Sequence, residues 1–312
     1  MDGNTGRILC EKNCHQRSLI ASTTKIMTAI VILESMELYR EIRISKEAVG
    51  VEGSSLYLKE GETLTVSELL YGMMLHSGND AAVALAIACD GSVDRFVDRM
   101  NQKAEALSLK NTHFDNPNGL DGESHYSTAY DLAVLTAYGL KLPGFREIVS
   151  CKTTTIGSRS LRNHNRLLWM MEGVIGVKTG FTKAAGRILV SALDHHGRTL
   201  IAVTICDGND WMDHKALYEY GKALYEPRIL ISKGQRVGEL PMLHGGIVEL
   251  YAMKDLNYYA MEGETPVLEL RYPLVGMGQD GTALMDVYIG DLYIARITLS
   301  REEEQIWNDC RS

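Results

Sequence analysis

The chain has 312 residues, of which 45% are hydrophobic and 23% charged, an ordinary balance for a globular protein. Its net charge of -8, with no long basic run, argues against nucleic-acid binding. No stretch reaches the roughly 18 apolar residues of a membrane span, so no spanning helix is predicted.

From the amino end, the pattern predicts a strand over residues 5–11 and then an amphipathic helix with Ser22 in its first turn. A second helix is capped by Thr65 or Ser67 and ends at a turn around Ser77, from which a third departs. Later helices follow the cap at Ser92, the segment beginning at Ser127, and Trp211. The strands predicted in this part are residues 41–44, 152–156, 174–178, 187–192 and 200–206.

The pattern changes at Glu226-Pro227. Beyond this point short strands recur about every 8–12 residues, which is typical of an all-β module. We therefore predict two domains, residues 1–226 and residues 227–312. The strands predicted in the second domain are residues 246–251, 265–272, 283–289 and 292–299.

The first chemical signal is the pair Ser22 and Lys25, three residues apart at the start of an apolar run. On a helix such residues share one face, so the hydroxyl and the amine can reach the same pocket. Alone, this spacing is expected about once by chance in a chain of this length.

Two further motifs make the pair specific. Ser77-Gly78-Asn79 and Lys178-Thr179-Gly180 follow it in order. A Ser-x-x-Lys, a Ser-Asp-Asn and a Lys-Thr-Gly together form the signature of class A β-lactamases and penicillin-binding proteins, and here Gly78 stands in the middle of the second element.

With these motifs the chain resembles the serine-type D-alanyl-D-alanine carboxypeptidases, which are low-molecular-mass penicillin-binding proteins. The resemblance implies an α/β (α+β) fold: a β-lactamase/DD-peptidase-like catalytic domain with a central antiparallel sheet and helices on both sides, followed by a small all-β C-terminal domain. The stretches that carry it are Ala21 to Thr28, Ser77 to Ala86, Asn118 to Leu120, His125 to Thr128, Asn163 to Trp169 and Gly176 to Ala192.

The resemblance also assigns roles to residues. Ser22 is expected to be the nucleophile, Lys25 the base, and Ser77 the relay of a proton to the leaving amine. The oxyanion would be bound by the backbone N–H groups of Ser22 and Phe181. The residues expected to bind substrate are Asn79, Lys178, Thr179, Gly180 and Phe181.

Two departures from the family pattern concern substrate binding. Phe181 stands where a histidine often follows Lys-Thr-Gly, so only its backbone role is expected to survive. An arginine that often holds the substrate carboxylate is absent from Asp207 to His214. The carboxylate would then be bound by Lys178 and Thr179 alone, or by Arg187.

The implied reaction is removal of the terminal D-alanine from peptidoglycan stem pentapeptides, with β-lactam antibiotics as covalent inhibitors. The implied location is outside the cytoplasm, at the outer face of the cytoplasmic membrane. No signal peptide is visible, and we expect a trimmed amino terminus, so membrane association would need a segment not present here. No metal or other cofactor is expected, because no histidines or cysteines have the spacing of metal ligands. Cys10 and Cys14 are expected to be free thiols rather than a disulfide.

Three alternatives remain open on the sequence. A D,D-endopeptidase carries the same motifs. A class A-like β-lactamase would need a glutamate to activate the deacylating water, and Glu123 is the only nearby glutamate in the mid-chain loop. A non-catalytic peptidoglycan-binding or penicillin-sensing module would be expected to have lost Lys25, Ser77 or Lys178, all of which are present.

Overall fold

The computed structural model describes residues 1–241, 246–271, 282–290 and 292–301. The chain divides into two compact units, Met1–Gly221 and Lys222–Ser312. This division lies slightly before the predicted boundary between residues 226 and 227. That residues 1–226 fold independently stays a prediction.

The secondary structure of the first unit is mainly helical around one antiparallel sheet. Its α-helices are α1 (Lys25–Ser35), α2 (Val66–Leu75), α3 (Asn79–Asp90), α4 (Val93–Ala106), α5 (Ala129–Gly139), α6 (Phe145–Ser150), α7 (Leu167–Met170) and α8 (Asp210–Ala223), the last of which extends into the second unit. Its strands are β1 (Glu41–Arg43), β2 (Thr63–Thr65), β3 (Thr153–Ile156), β4 (Arg159–Arg162), β5 (Val174–Thr182), β6 (Gly186–His195) and β7 (Arg198–Ile205).

Helix α1 lies at the centre of the helical part and contacts α2, α3, α4, α5 and α6. Two expectations for it were wrong. Ser22 lies in a 3-10 turn, Ala21–Thr24, and the α-helix begins only at Lys25. The helix is also buried on every side from Lys25 to Ile32, because other helices surround it, and so it has no solvent-facing stripe there.

The main sheet has the order β5-β6-β7 and is antiparallel throughout. On one face, Val190 and Ala192 join the core that surrounds α1. On the other face, Ser191 bonds to α8 through His214 Nδ1 at 2.6 Å and Tyr218 Oη at 2.5 Å. Helices therefore cover both sides of the sheet, as predicted.

The strand predicted over residues 5–11 was wrong. Pairing with β7 is made earlier in the chain, where Asp2 bridges Leu200 and the Gly3 N–H donates to Thr199 O at 2.7 Å. The Asp2 carboxylate then accepts from the backbone N–H groups of Asn4 and Thr5, which closes a turn. The chain leaves the sheet at that turn, so the following residues have no strand to pair with.

The described part of the second unit consists of antiparallel strands, which confirms its predicted β character. The strands are β8 (Tyr225–Ile231), β9 (Arg236–Pro241), β10 (Ile247–Ala252), β11 (Leu256–Met261), β12 (Leu268–Arg271), β13 (Thr282–Ile289) and β14 (Leu292–Ser300). One sheet has the order β12-β13-β14-β10-β9, and β8 pairs with β11. The core of this unit contains Leu250, Met285, Val287 and Leu299. Tyr272, the end of one predicted strand, lies outside the described residues.

A search of the described residues found no helix with the length and apolar character needed to cross a bilayer.

Candidate active site

The serine and the lysine of the first motif are in direct contact. Lys25 Nζ donates a hydrogen bond to Ser22 Oγ at 3.0 Å. Ser22 is placed by the 3-10 turn, which Ala21 enters with a left-handed φ of 42°. Lys25 is the first residue of α1, and residues Lys25 to Ile32 of this helix are all buried, which fixes the amine.

Lys25 is completely buried, and its amine has two further partners. Nζ donates to Asn79 Oδ1 at 2.7 Å and to the backbone oxygen of Asn118 at 2.5 Å. Burial, and secondarily the nearby Lys178, hold the pKa of Lys25 well below its ordinary value, while Asp80 acts in the opposite direction. A neutral amine is thereby favoured, as a general base requires.

The second motif supplies Ser77, which lines the same open cleft as Ser22; the cleft has a volume of about 540 Å³. Ser77 lies in the turn between α2 and α3 with a φ of 66°. A non-glycine residue in this left-handed region is strained, and such strain is concentrated at functional sites. The turn directs Ser77 to the cleft although the residue is only 5% exposed.

Asn79 has two partners in the structure. Oδ1 accepts from Lys25 and Nδ2 donates to Glu52 O at 2.5 Å. That its amide also bonds substrate stays a prediction. The side chain is therefore held between the amine and the loop of residues 50–63. A substrate would have to displace the Glu52 contact to reach the amide nitrogen.

The third motif lies on β5, which runs beside the Ser22 turn. Thr179, Gly180 and Phe181 line the cleft, and the Phe181 side chain is 65% exposed. A Cβ atom at position 180 would lie 3.3 Å from Ser22 N and 3.1 Å from Ile20 O. Glycine at this position therefore allows the strand to approach the serine turn.

Lys178 is almost completely buried. Its side chain is only 1% exposed, and Nζ donates to Thr179 O at 3.0 Å. Burial lowers the pKa of this amine to about 7. Its charge contributes to the lowered pKa of Lys25, and its contact with the substrate carboxylate stays a prediction.

Sequence reasoning missed the group that orders the loop of residues 50–63. Asp80 is fully buried, and its carboxylate accepts hydrogen bonds from Ser55 Oγ at 2.6 Å, Leu56 N at 3.0 Å and Leu58 N at 3.1 Å. Its position directly after Asn79 was the only available signal, because the partners are distant in sequence and mostly backbone atoms.

The sequence also missed part of the cleft wall. The segment before α7 contributes His164 and Arg166, and the start of α8 contributes Asp210 and Trp211. Burial, and then the neighbouring Lys178 and His76, lower the pKa of His164 to about 4, so its imidazole is neutral at physiological pH.

Two smaller observations complete the chemistry of the site. No cluster of three or more potential metal-ligating side chains occurs within the described ranges. Cys10 and Cys14 are both free thiols.

Comparison with known proteins identifies the family. The family model described as D-alanyl-D-alanine carboxypeptidase matches residues 1–209. The chain is 33% identical over 280 residues to D-alanyl-D-alanine carboxypeptidase DacF of Bacillus subtilis, covering 85% of this chain and 72% of that protein. It is 33% identical over 294 residues to DacD of Escherichia coli, covering 88% and 76%.

Solved structures agree with this assignment. Penicillin binding protein 5 of Haemophilus influenzae superimposes with a TM-score of 0.72 at 30% identity, covering 96% of this chain and 94% of that chain. The Streptomyces K15 DD-transpeptidase superimposes with a TM-score of 0.68 at 35% identity in one form, covering 72% of this chain and 96% of that chain. The chain therefore belongs to the D-alanyl-D-alanine carboxypeptidase family of low-molecular-mass penicillin-binding proteins.

Proposed function

We propose that this protein is a serine-type D-Ala-D-Ala carboxypeptidase that removes the terminal D-alanine from peptidoglycan stem pentapeptides through an acyl-enzyme on Ser22. The observation that carries the proposal is the environment of the Lys25 amine. Two of its three partners, Asn79 Oδ1 and Asn118 O, are oxygens that only accept hydrogen bonds. The Ser22 hydroxyl is the only partner able to donate.

This arrangement fixes the direction of the first proton transfer. A neutral Lys25 amine has two N–H groups, which donate to the two carbonyl oxygens, and one lone pair. In this form the hydrogen bond with Ser22 is reversed, and the Ser22 hydroxyl donates to the lone pair. Lys25 takes that proton as Ser22 Oγ attacks the carbonyl carbon between the two D-alanines. The backbone N–H groups of Ser22 and Phe181 stabilise the resulting oxyanion.

Breakdown of the tetrahedral intermediate needs the proton at the other end of the scissile bond. Lys25 returns it through Ser77 to the nitrogen of the departing D-alanine, leaving an ester on Ser22. Water then attacks the ester with Lys25 again as the base, because the deacylation step needs a proton acceptor at the same place. Asn79 acts in this scheme by positioning Lys25.

The cleft argues against the β-lactamase alternative. Among the described residues that line it, Asp210 is the one with a carboxylate, and Arg187 pairs with it. Glu123 is exposed and does not line the cleft. No dedicated carboxylate is therefore placed to activate a deacylating water, and hydrolysis of a penicilloyl ester is expected to be slow.

The proposal has consequences for partners and location. The substrates are peptidoglycan stem peptides, and β-lactams act as covalent inhibitors on Ser22. The protein would act in the cell envelope, where peptidoglycan is found. We keep membrane association and the absence of nucleic-acid binding as predictions, the second based on the net charge of -8.

The test is release of D-alanine from a muramyl pentapeptide by the wild type and by Ser22→Ala. Ser158→Ala, which alters an exposed serine in the turn between β3 and β4, is the matched control. We expect release by the wild type and the control, and none by Ser22→Ala. Absence of release by the wild type, with rapid multiple-turnover penicillin hydrolysis, would favour the lactamase instead. A parallel incubation with a cross-linked dimer measures any endopeptidase activity.

A further inference from the structure

The cleft contains two exposed cations on different walls. Arg166 belongs to the segment in which His164 N bonds Leu75 O at the end of α2, close to Ser77. Arg187 belongs to β6 and pairs across the sheet with Phe181. A substrate ending in D-alanine carries a carboxylate that needs a cationic partner in the cleft. Lys178 is only 1% exposed, whereas both arginines are exposed and line the cleft.

Arg187 is held rigidly in one orientation. Its Nε donates to Asp210 Oδ2 at 3.1 Å, and its Nη2 donates to Asp210 Oδ1 at 2.5 Å. The Asp210 side chain is only 4% exposed and also accepts from Trp211 N at 2.8 Å. The guanidinium carbon lies 5.7 Å from the centre of the Trp211 ring. Among the described residues, no carboxylate anchors Arg166 in this way, and its side chain is exposed.

The hydrogen bonds to Asp210 leave one edge of the guanidinium available. Arginine has five N–H groups, and Asp210 uses one on Nε and one on Nη2. Both groups on Nη1 and the second on Nη2 remain, and they form the end-on fork that matches a carboxylate. The side chain is 43% exposed and lines the cleft, so this fork is accessible.

We propose that Arg187, positioned by Asp210, binds the terminal carboxylate of the substrate together with the Thr179 hydroxyl, and so makes a free C-terminus part of recognition. The proposal rests on the proposed carboxypeptidase function. It also gives Asp210 a role: this acid at the start of α8 orients a cation from the neighbouring strand. Arg187 contacts substrate, whereas Asp210 is a positioning residue.

The test compares two acylated tripeptides that end in D-Ala-D-Ala and differ only in a terminal carboxylate or carboxamide. Release of D-alanine or D-alaninamide is measured for the wild type and for Arg187→Gln. We expect Arg187→Gln to lower kcat/KM about 10- to 100-fold on the carboxylate, the range for a lost charge-assisted contact, and less than about threefold on the carboxamide.

Further variants separate binding from general damage. Arg187→Lys should retain an intermediate preference for the carboxylate, because it keeps the charge but not the fork. Asp210→Asn should reduce the preference in the same direction by loosening Arg187. Lys183→Gln, which removes an exposed cation from the β5–β6 turn, should leave the ratio unchanged. Equal losses on both substrates, no loss at all, or a selective loss in Arg166→Gln instead would overturn the assignment.

A second measurement keeps the inference distinct from the proposed function. Penicillin also carries a carboxylate, so its acylation rate by intact mass should fall in Arg187→Gln by a similar factor. If the wild type releases no D-alanine but this Arg187 dependence is found, the carboxylate site stands and the carboxypeptidase reading fails. If D-alanine is released and neither rate depends on Arg187, the carboxypeptidase function stands and the carboxylate site at Arg187 fails.

Discussion

Replacing Lys178 by methionine is expected to stabilise the protein at neutral pH while slowing acylation, because loss of its charge raises the pKa of Lys25. The ordinary pKa of a lysine amine is 10.5, and burial lowers that of Lys178 to about 7. Because the folded pKa lies below the unfolded one, the unfolded chain binds more protons between these pH values, and wild-type stability rises with pH across that window. From these two values, linkage gives a cost of about 4 kcal/mol at pH 7 and about 2 kcal/mol at pH 9.

The quantity to measure is therefore the pH dependence of the stability difference. Urea unfolding of the wild type and Lys178→Met at pH 7, 8 and 9 should show the variant's advantage shrinking by about 2 kcal/mol. Packing changes made by methionine do not titrate, so they do not alter this trend. Loss of the Lys178 charge also raises the pKa of Lys25, which adds to the variant's advantage at the lower pH values. Lys183→Met, at an exposed site, should show no such trend. An advantage that stays constant or grows with pH would refute the assignment of a buried, proton-shedding Lys178.

Three further predictions concern the base, the domain boundary and deacylation. Lys25→Arg should lower the acylation rate at least about a hundredfold, because a guanidinium is not a base near neutrality. The acylation rate of the wild type should rise with pH through a pKa well below 10.5. Near-normal acylation by Lys25→Arg would mean that the lysine acts only through its charge. A fragment of residues 1–226 should fold and form the penicillin adduct, and loss of its native near-ultraviolet circular dichroism would contradict the boundary. The peptidyl ester should be hydrolysed at least about a hundredfold faster than the penicilloyl ester, a difference of roughly 2.7 kcal/mol in the activation barrier. The reason is that the leaving group of penicillin stays tethered and shields the ester from water. Equal hydrolysis rates in time-resolved mass spectrometry would count against this explanation.

The sequence predicted the identity of the reacting groups better than their surroundings. The contact of Lys25 with Ser22 follows from their spacing of three residues. The all-β character of the second unit likewise follows from strand spacing. That Ser22, Ser77 and Thr179 line one cleft was implied by the family resemblance, because these residues are far apart in the chain.

The sequence could not predict features that tertiary contacts decide. The strand expected at residues 5–11 has suitable composition, but a turn closed by Asp2 takes the chain off the sheet before it. The burial of Lys178 depends on packing that no local pattern encodes. Likewise, the hydrogen bond from Asn79 to the backbone oxygen of Glu52 joins residues that are distant in sequence.

The central claim is that Ser22, activated by Lys25, carries the acyl group. Intact mass measurement after incubation with benzylpenicillin, followed by peptide mapping, tests it most directly. The account predicts one adduct per chain, located on Ser22 and absent from Ser22→Ala. An adduct that persists in Ser22→Ala, or that maps to Ser77 or another residue, would contradict it.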